Sequence, residues 1–61
     1  MPIIEVTLIE GRTKEAKAAL IHELTDAAER AVNAPRHTIR VILREIPPEH
    51  FGVAGIAKSS N

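Results

Sequence analysis

Between positions 3 and 10 the chain reads Ile-Ile-Glu-Val-Thr-Leu-Ile-Glu, so that Ile4, Val6 and Leu8 alternate with Ile3, Glu5, Thr7 and Ile9. A two-residue period in β-branched types predicts a strand. Gly11 interrupts it, Thr13 stands where an N-cap belongs, and Glu15 places a negative charge in the first turn of the helix that follows. Ala16, Leu20, Leu24, Ala27, Ala28 and Ala31 then return at three- and four-residue spacing, leaving Lys14, Lys17, Glu23, Asp26 and Arg30 toward water. That pattern predicts an amphipathic helix of about five turns. Asn33 is its expected C-terminal cap, and Pro35 prevents continuation. A second strand is predicted from Thr38 to Ile46, with Ile39, Val41 and Leu43 alternating against Arg40, Ile42 and Arg44. Pro47-Pro48 ends it, and Phe51-Gly52-Val53-Ala54-Gly55 reads as a turn or short hairpin ahead of a polar, loose tail from Lys58 to Asn61.

The order strand, helix, strand implies two parallel strands joined by a right-handed crossover, with the helix on one sheet face. The expected fold is therefore α+β: a single domain over residues 1–61, made of one β-α-β unit with parallel strands and a short C-terminal hairpin. Ile4, Val6, Leu8, Ile39, Val41 and Leu43 would meet the helix. Ile3, Ile9 and Ile42 would remain on the opposite face, and a two-stranded sheet is not stable alone. Size points the same way. A chain of 61 residues buries only about 60% of its unfolded surface, and one core of that size rarely supplies more than ~3–5 kcal/mol. With 44% apolar residues and no cysteine, the chain is too apolar for disorder and has no disulfide staple, so assembly into an oligomer is expected.

Charge and composition narrow the function. Eight basic residues balance eight acidic ones, which leaves no electrostatic footprint for nucleic acid or an anionic membrane. No apolar run is long enough for a membrane span or a secretory leader, and the expected compartment is the cytoplasm. The absence of cysteine excludes a thiolate metal site, and His22, His37 and His50 show no shared ligand spacing, so no metal is expected. Neither a phosphate loop nor a conventional nucleophile is present.

The N-terminus offers the unusual chemistry. Pro2 is a small second residue of the kind that permits removal of Met1. Removal would leave a secondary amine at the start of a strand. A free α-amino group titrates near ~7.7–8.0, and desolvation or nearby cations lower it toward the range of an efficient general base. Arg12 follows the first strand and Arg40 opens the second on the face away from the helix. Each needs an anionic partner when buried: either a carboxylate of the protein, Glu5, Glu10, Glu45 or Glu49, or one on a ligand. Pro2 and Arg12 lie at opposite ends of a strand more than ~20 Å long, so they share a site only if Arg12 comes from another chain, as antiparallel pairing of two first strands would allow. Phe51, the only aromatic residue, is either an interface plug or an apolar wall that keeps water from a base.

Met-Pro-Ile at the start, Leu-Ile-Glu-Gly-Arg at 8–12, the alanine-rich helix, Ala34-Pro35, Ile39-Arg40-Val41-Ile42 and His50-Phe51-Gly52-Val53 occur in one order along the whole chain. In that combination the sequence resembles the 4-oxalocrotonate (2-hydroxymuconate) tautomerase family. The resemblance implies a homohexamer, a trimer of dimers, and cofactor-free enol–keto tautomerisation of an unsaturated dicarboxylate, as in breakdown of aromatic compounds. It implies Pro2 as general base, Arg40 as the group that polarises the 2-oxo or carboxylate oxygen, and Arg12 as the holder of the far carboxylate, both arginines from neighbouring chains. Phe51 would supply the apolar wall, and Thr38 stands where the family often has a small hydroxyl residue. Val53-Ala54-Gly55 departs from the more usual glycine-rich continuation, Pro47-Pro48 stiffens the preceding loop, and the tail lacks the family's common basic residues. Two alternatives stay open: haloacrylate dehalogenation or hydration on the same proline, with Glu10 or Glu49 activating water, and a non-catalytic oligomeric subunit.

Overall fold

The computed structural model of the chain describes residues 2–58; Met1 and the end of the expected loose tail, Ser59 to Asn61, lie outside the described residues. The elements run β1 (Ile3–Ile9), α1 (Lys14–Val32), η1 (Arg36–Thr38), β2 (Arg40–Ile46), η2 (Pro48–His50), β3 (Gly52–Val53) and β4 (Ile56–Ala57), where η marks a single 3-10 turn. β1 and β2 pair in parallel from Ile3 with Arg40 to Ile9 with Ile46, and β3 and β4 form an antiparallel hairpin. This is the expected β-α-β unit with its C-terminal hairpin.

The helix begins and ends where its capping chemistry requires. Thr13 accepts the Ala16 N–H on its side chain at 3.0 Å, satisfying one of the donors a helix start leaves unpaired. Asn33 adopts the left-handed conformation (φ 54°) that closes a C-terminus. The second strand begins later than its alternation predicts. Thr38 turns out of the strand because the Pro35 carbonyl accepts both its N–H (2.9 Å) and its hydroxyl (2.7 Å), winding Arg36–Thr38 into η1. β2 starts at Arg40.

The apolar stripe of α1 is also only partly used. Leu20, Leu24 and Ala28 are half-buried against the sheet, whereas Ala16, Ala27 and Ala31 are exposed. Two strands ~4.8 Å apart make a surface about as narrow as a helix ~10 Å across, so one flank has nothing to meet. Two positions expected in water are engaged instead: Lys17 with Glu45 at 2.9 Å, and Asp26 with Arg36 at 2.7 Å.

Ile39 is the only buried hydrophobic side chain among the described residues. Ile3, Ile42, Val53 and Ile56 are 58%, 43%, 64% and 57% exposed. The molecule measures 43 × 24 × 13 Å with a radius of gyration of 14.4 Å, against about 10.5 Å for a compact domain of this length. A slab one helix and one sheet thick has no interior of its own. Among the described residues no helix is long and apolar enough to cross a membrane.

Candidate active site

The expected site residues fall into two groups at opposite ends of β1. At one end, half-buried Pro2 precedes the strand, and its carbonyl accepts the Arg40 backbone N–H at 3.0 Å. Thr38 lies two residues before Arg40 in η1. The Arg40 guanidinium donates to the His37 carbonyl at 2.8 Å. Pro2, Thr38 and Arg40 thus sit together because the parallel register brings the starts of both strands to one edge.

At the other end, the Arg12 guanidinium folds back to donate to the Ile9 carbonyl at 3.2 Å. Gly11 makes that reversal with φ 129°, a conformation closed to residues with a side chain. Glu10, Arg12, Phe51 and Lys58 line a cavity of about 340 Å³ with the end of β1. The Lys58 N–H donates to the Phe51 carbonyl at 2.8 Å, clasping the hairpin onto the aromatic residue. Since the seven residues of β1 span ~23 Å, the Pro2 group and the Arg12 group do not meet within one chain.

Charge pairing separates these arginines from Arg36 and Arg44, though not from Arg30 near the end of α1. Arg36 binds Asp26 and Glu29, Arg44 binds Glu5 at 3.2 Å, and Lys17 binds Glu45. Glu5 and Glu45, two of the carboxylates that could have neutralised Arg12 or Arg40, are therefore engaged elsewhere. Among the described residues Arg12 and Arg40 contact only backbone carbonyls. A guanidinium has five N–H donors in a planar fork, and one neutral carbonyl leaves most of them for an anion.

The sequence alone gives Lys58 no site role, and marks Glu10 only as a carboxylate that could pair an arginine or activate water in the alternative chemistry. Hairpin register was the missing information. With Gly52 opposite Ala57, position 58 must lie opposite Phe51, so a two-residue turn at Ala54-Gly55 places the lysine. Elsewhere, His22, Glu23 and Asp26 carry potential ligand atoms within 4.8 Å of one another, but the Arg36 guanidinium already supplies a cation there.

Comparison with known proteins fits this architecture. Residues 2–61 match the model of the Tautomerase family, described as tautomerase enzyme. The chain belongs to the tautomerase family. A probable tautomerase from Ralstonia nicotianae is 62% identical over 60 residues, covering 98% of this chain and 86% of the relative. Among solved structures, a 4-oxalocrotonate tautomerase homologue of the tomaymycin biosynthetic pathway superposes with a TM-score of 0.95 at 42% identity, covering 97% of this tautomerase and 91% of that chain. A heterohexamer 4-oxalocrotonate tautomerase from Chloroflexus aurantiacus gives 0.94 at 39% identity, with 97% and 95% covered.

Proposed function

We propose that this tautomerase family member converts 2-hydroxymuconate, or a related unsaturated 2-hydroxy diacid, to 2-oxo-3-hexenedioate without a cofactor. The observation that carries the reading is the pair of arginines, Arg12 and Arg40, which among the described residues hydrogen-bond only to the Ile9 and His37 carbonyls while Arg36, Arg44 and Lys17 are matched to carboxylates. Two such fork donors suit a substrate with a carboxylate at each end.

In this reading Met1 is removed and the Pro2 secondary amine takes the proton of the 2-hydroxy group. The O–H electron pair becomes the carbonyl π bond, the double bonds shift toward carbon five, and the prolyl ammonium returns the proton there. Arg40 stabilises negative charge as it develops on the 2-oxygen. Arg12 holds the distant carboxylate, Lys58 adds a second cation beside it, and Phe51 keeps water away. Thr38 orders a water at the Arg40 end. The two cations that bind the diacid also disfavour the ammonium and so lower the amine's pKa.

Because the two groups lie a strand's length apart, a complete site takes Pro2 from one chain and Arg12 from another; the family resemblance implies a neighbouring chain for its Arg40 as well, so the Pro2 and Arg40 of one chain serve different sites. A homohexamer, a trimer of dimers in the cytoplasm, meets that requirement, and the exposed Ile3, Ile42, Val53 and Ile56 are the apolar surface it would cover. Ultraviolet absorbance of 2-hydroxymuconate tests the chemistry: rapid loss of the dienol with natively processed protein, and its absence in Pro2→Ala, is the expected result. Equal loss in both proteins contradicts the role of Pro2.

One observation favours a second reading. Glu10 lines the cavity beside Arg12 and Phe51, where a carboxylate could activate water for hydration or dehalogenation of a haloacrylate. Halide release from 3-chloroacrylate, abolished by Glu10→Gln, separates the two chemistries.

A further inference from the structure

Arg36 stands outside the roles described so far. It opens η1, the turn that carries Thr38 and leads into Arg40, yet its side chain reaches back across the crossover to α1. Nη1 donates to Asp26 Oδ1 at 2.7 Å and to Glu29 Oε1 at 2.9 Å, while Nη2 lies 3.4 Å from His22 Nδ1. His22 Nε2 is 3.3 Å from Asp26 Oδ2. The neutral tautomer with its proton on Nε2 satisfies both contacts and closes a ring of three side chains. The Asp26 carboxyl is held below the usual carboxylate range, chiefly by the Arg36 hydrogen bond, and Arg36 is raised in turn by its bonds to Asp26 and Glu29.

A short backbone path leads from this clasp to the Pro2 end of the sheet. The Arg36 carbonyl accepts the Ile39 N–H at 3.1 Å, which closes η1. Ile39 is the residue 8% exposed in the core, and the next N–H, that of Arg40, is bonded to Pro2. A single 3-10 turn has poor hydrogen-bond geometry and little stability of its own. Anchoring its first residue to a five-turn helix fixes where its last residue delivers the chain. Exposed ion pairs contribute little to global stability, so the consequence of this one belongs to local geometry.

We propose that Arg36, clasped by Asp26 and Glu29 of α1, is a positioning residue that sets the placement of Arg40 and Pro2 for catalysis. This rests on the reading of Pro2 and Arg40 given above, and the test separates the two. In Arg36→Ala and in the nearly isosteric Asp26→Asn, amide exchange at Thr38, Ile39 and Arg40 should accelerate about 10-fold while β1 interior amides and the oligomeric state stay unchanged. Turnover of 2-hydroxymuconate should fall about 5-fold in kcat with KM within about 2-fold, Arg36→Lys should recover most of it, and Arg36→Ala should add less than its full loss to Arg40→Ala, the remainder acting through Pro2. Unaltered exchange at those amides, or a kcat loss that adds in full to that of Arg40→Ala, overturns the inference. If wild-type protein leaves 2-hydroxymuconate unchanged, the reading of the chemistry fails and the exchange data alone decide the clasp.

Discussion

Pro2 precedes the first residue of β1 and is fixed there by one backbone hydrogen bond from Arg40. The reading of this proline as a base depends on its nitrogen, which is an amide while Met1 remains and an amine once Met1 is gone. Intact mass of natively processed protein should lack Met1. Loss of a general base costs about 10²–10⁴-fold, so Pro2→Ala should lower kcat by at least ~10²-fold with the fold unchanged by circular dichroism. The arginines should divide their effects. In the proposed site Arg12→Ala removes a charge-assisted contact to the far carboxylate and should raise KM about 10-fold. Arg40→Ala should act mainly on kcat, because charge on the 2-oxygen grows only as the reaction proceeds. Steady-state kinetics on the two variants checks this, and an inverted pattern would exchange their roles.

Capping residues made the helix legible in the sequence, and hairpin and turn chemistry made the remainder less so. Thr13, Asn33 and Pro35 each act within a few residues of chain, and α1 begins and ends where they indicate. The start of β2 was hidden because the alternation of Ile39, Val41 and Leu43 runs smoothly back through Thr38, while the bonds to the Pro35 carbonyl that bend Thr38 away are invisible to a two-residue period. Pro2, Arg12, Arg40 and Phe51 could be singled out from residue type and position. Lys58 could not, since its place beside Phe51 follows from the hairpin register. That hairpin carries strain. Ala54 and Gly55 both have positive φ, 53° and 84°, as a two-residue hairpin turn demands, and a left-handed alanine costs roughly 1–2 kcal/mol. Ala54→Gly should therefore stabilise the protein by about 1 kcal/mol, raising Tm in calorimetry. The clasp at η1 has its own pH dependence. Asp26 faces His22, Glu29 and Arg30 on α1 and Arg36 from η1, and its folded-state pKa lies below its unfolded value. Its contribution is thus present above the usual carboxylate range and lost as pH falls through and below it. The difference in Tm between wild type and Asp26→Asn should be constant near neutrality and vanish in strong acid.

For the whole molecule, a slab with one buried hydrophobic residue among those described and a radius of gyration well above the compact value has to find its interior in other copies. The open sheet face carries Ile3 and Ile9 on either side of the Glu5–Arg44 pair and Ile42 opposite Glu5, and the hairpin adds Val53 and Ile56. Folding and assembly should be one transition, with a Tm that rises with protein concentration. Ile42→Lys should disperse the assembly in light scattering and abolish turnover, although residue 42 touches no proposed substrate atom. The same separation of Pro2 from Arg12 that requires assembly also offers the most direct test. Pro2→Ala and Arg12→Ala chains, each weakly active at substrate concentrations far below KM, are unfolded, mixed and refolded together. Hybrid oligomers should contain sites that take intact Pro2 from one chain and intact Arg12 from the other, and kcat/KM should rise well above that of either variant refolded alone. Activity of the mixture no greater than the average of the two variants would contradict a site shared between chains.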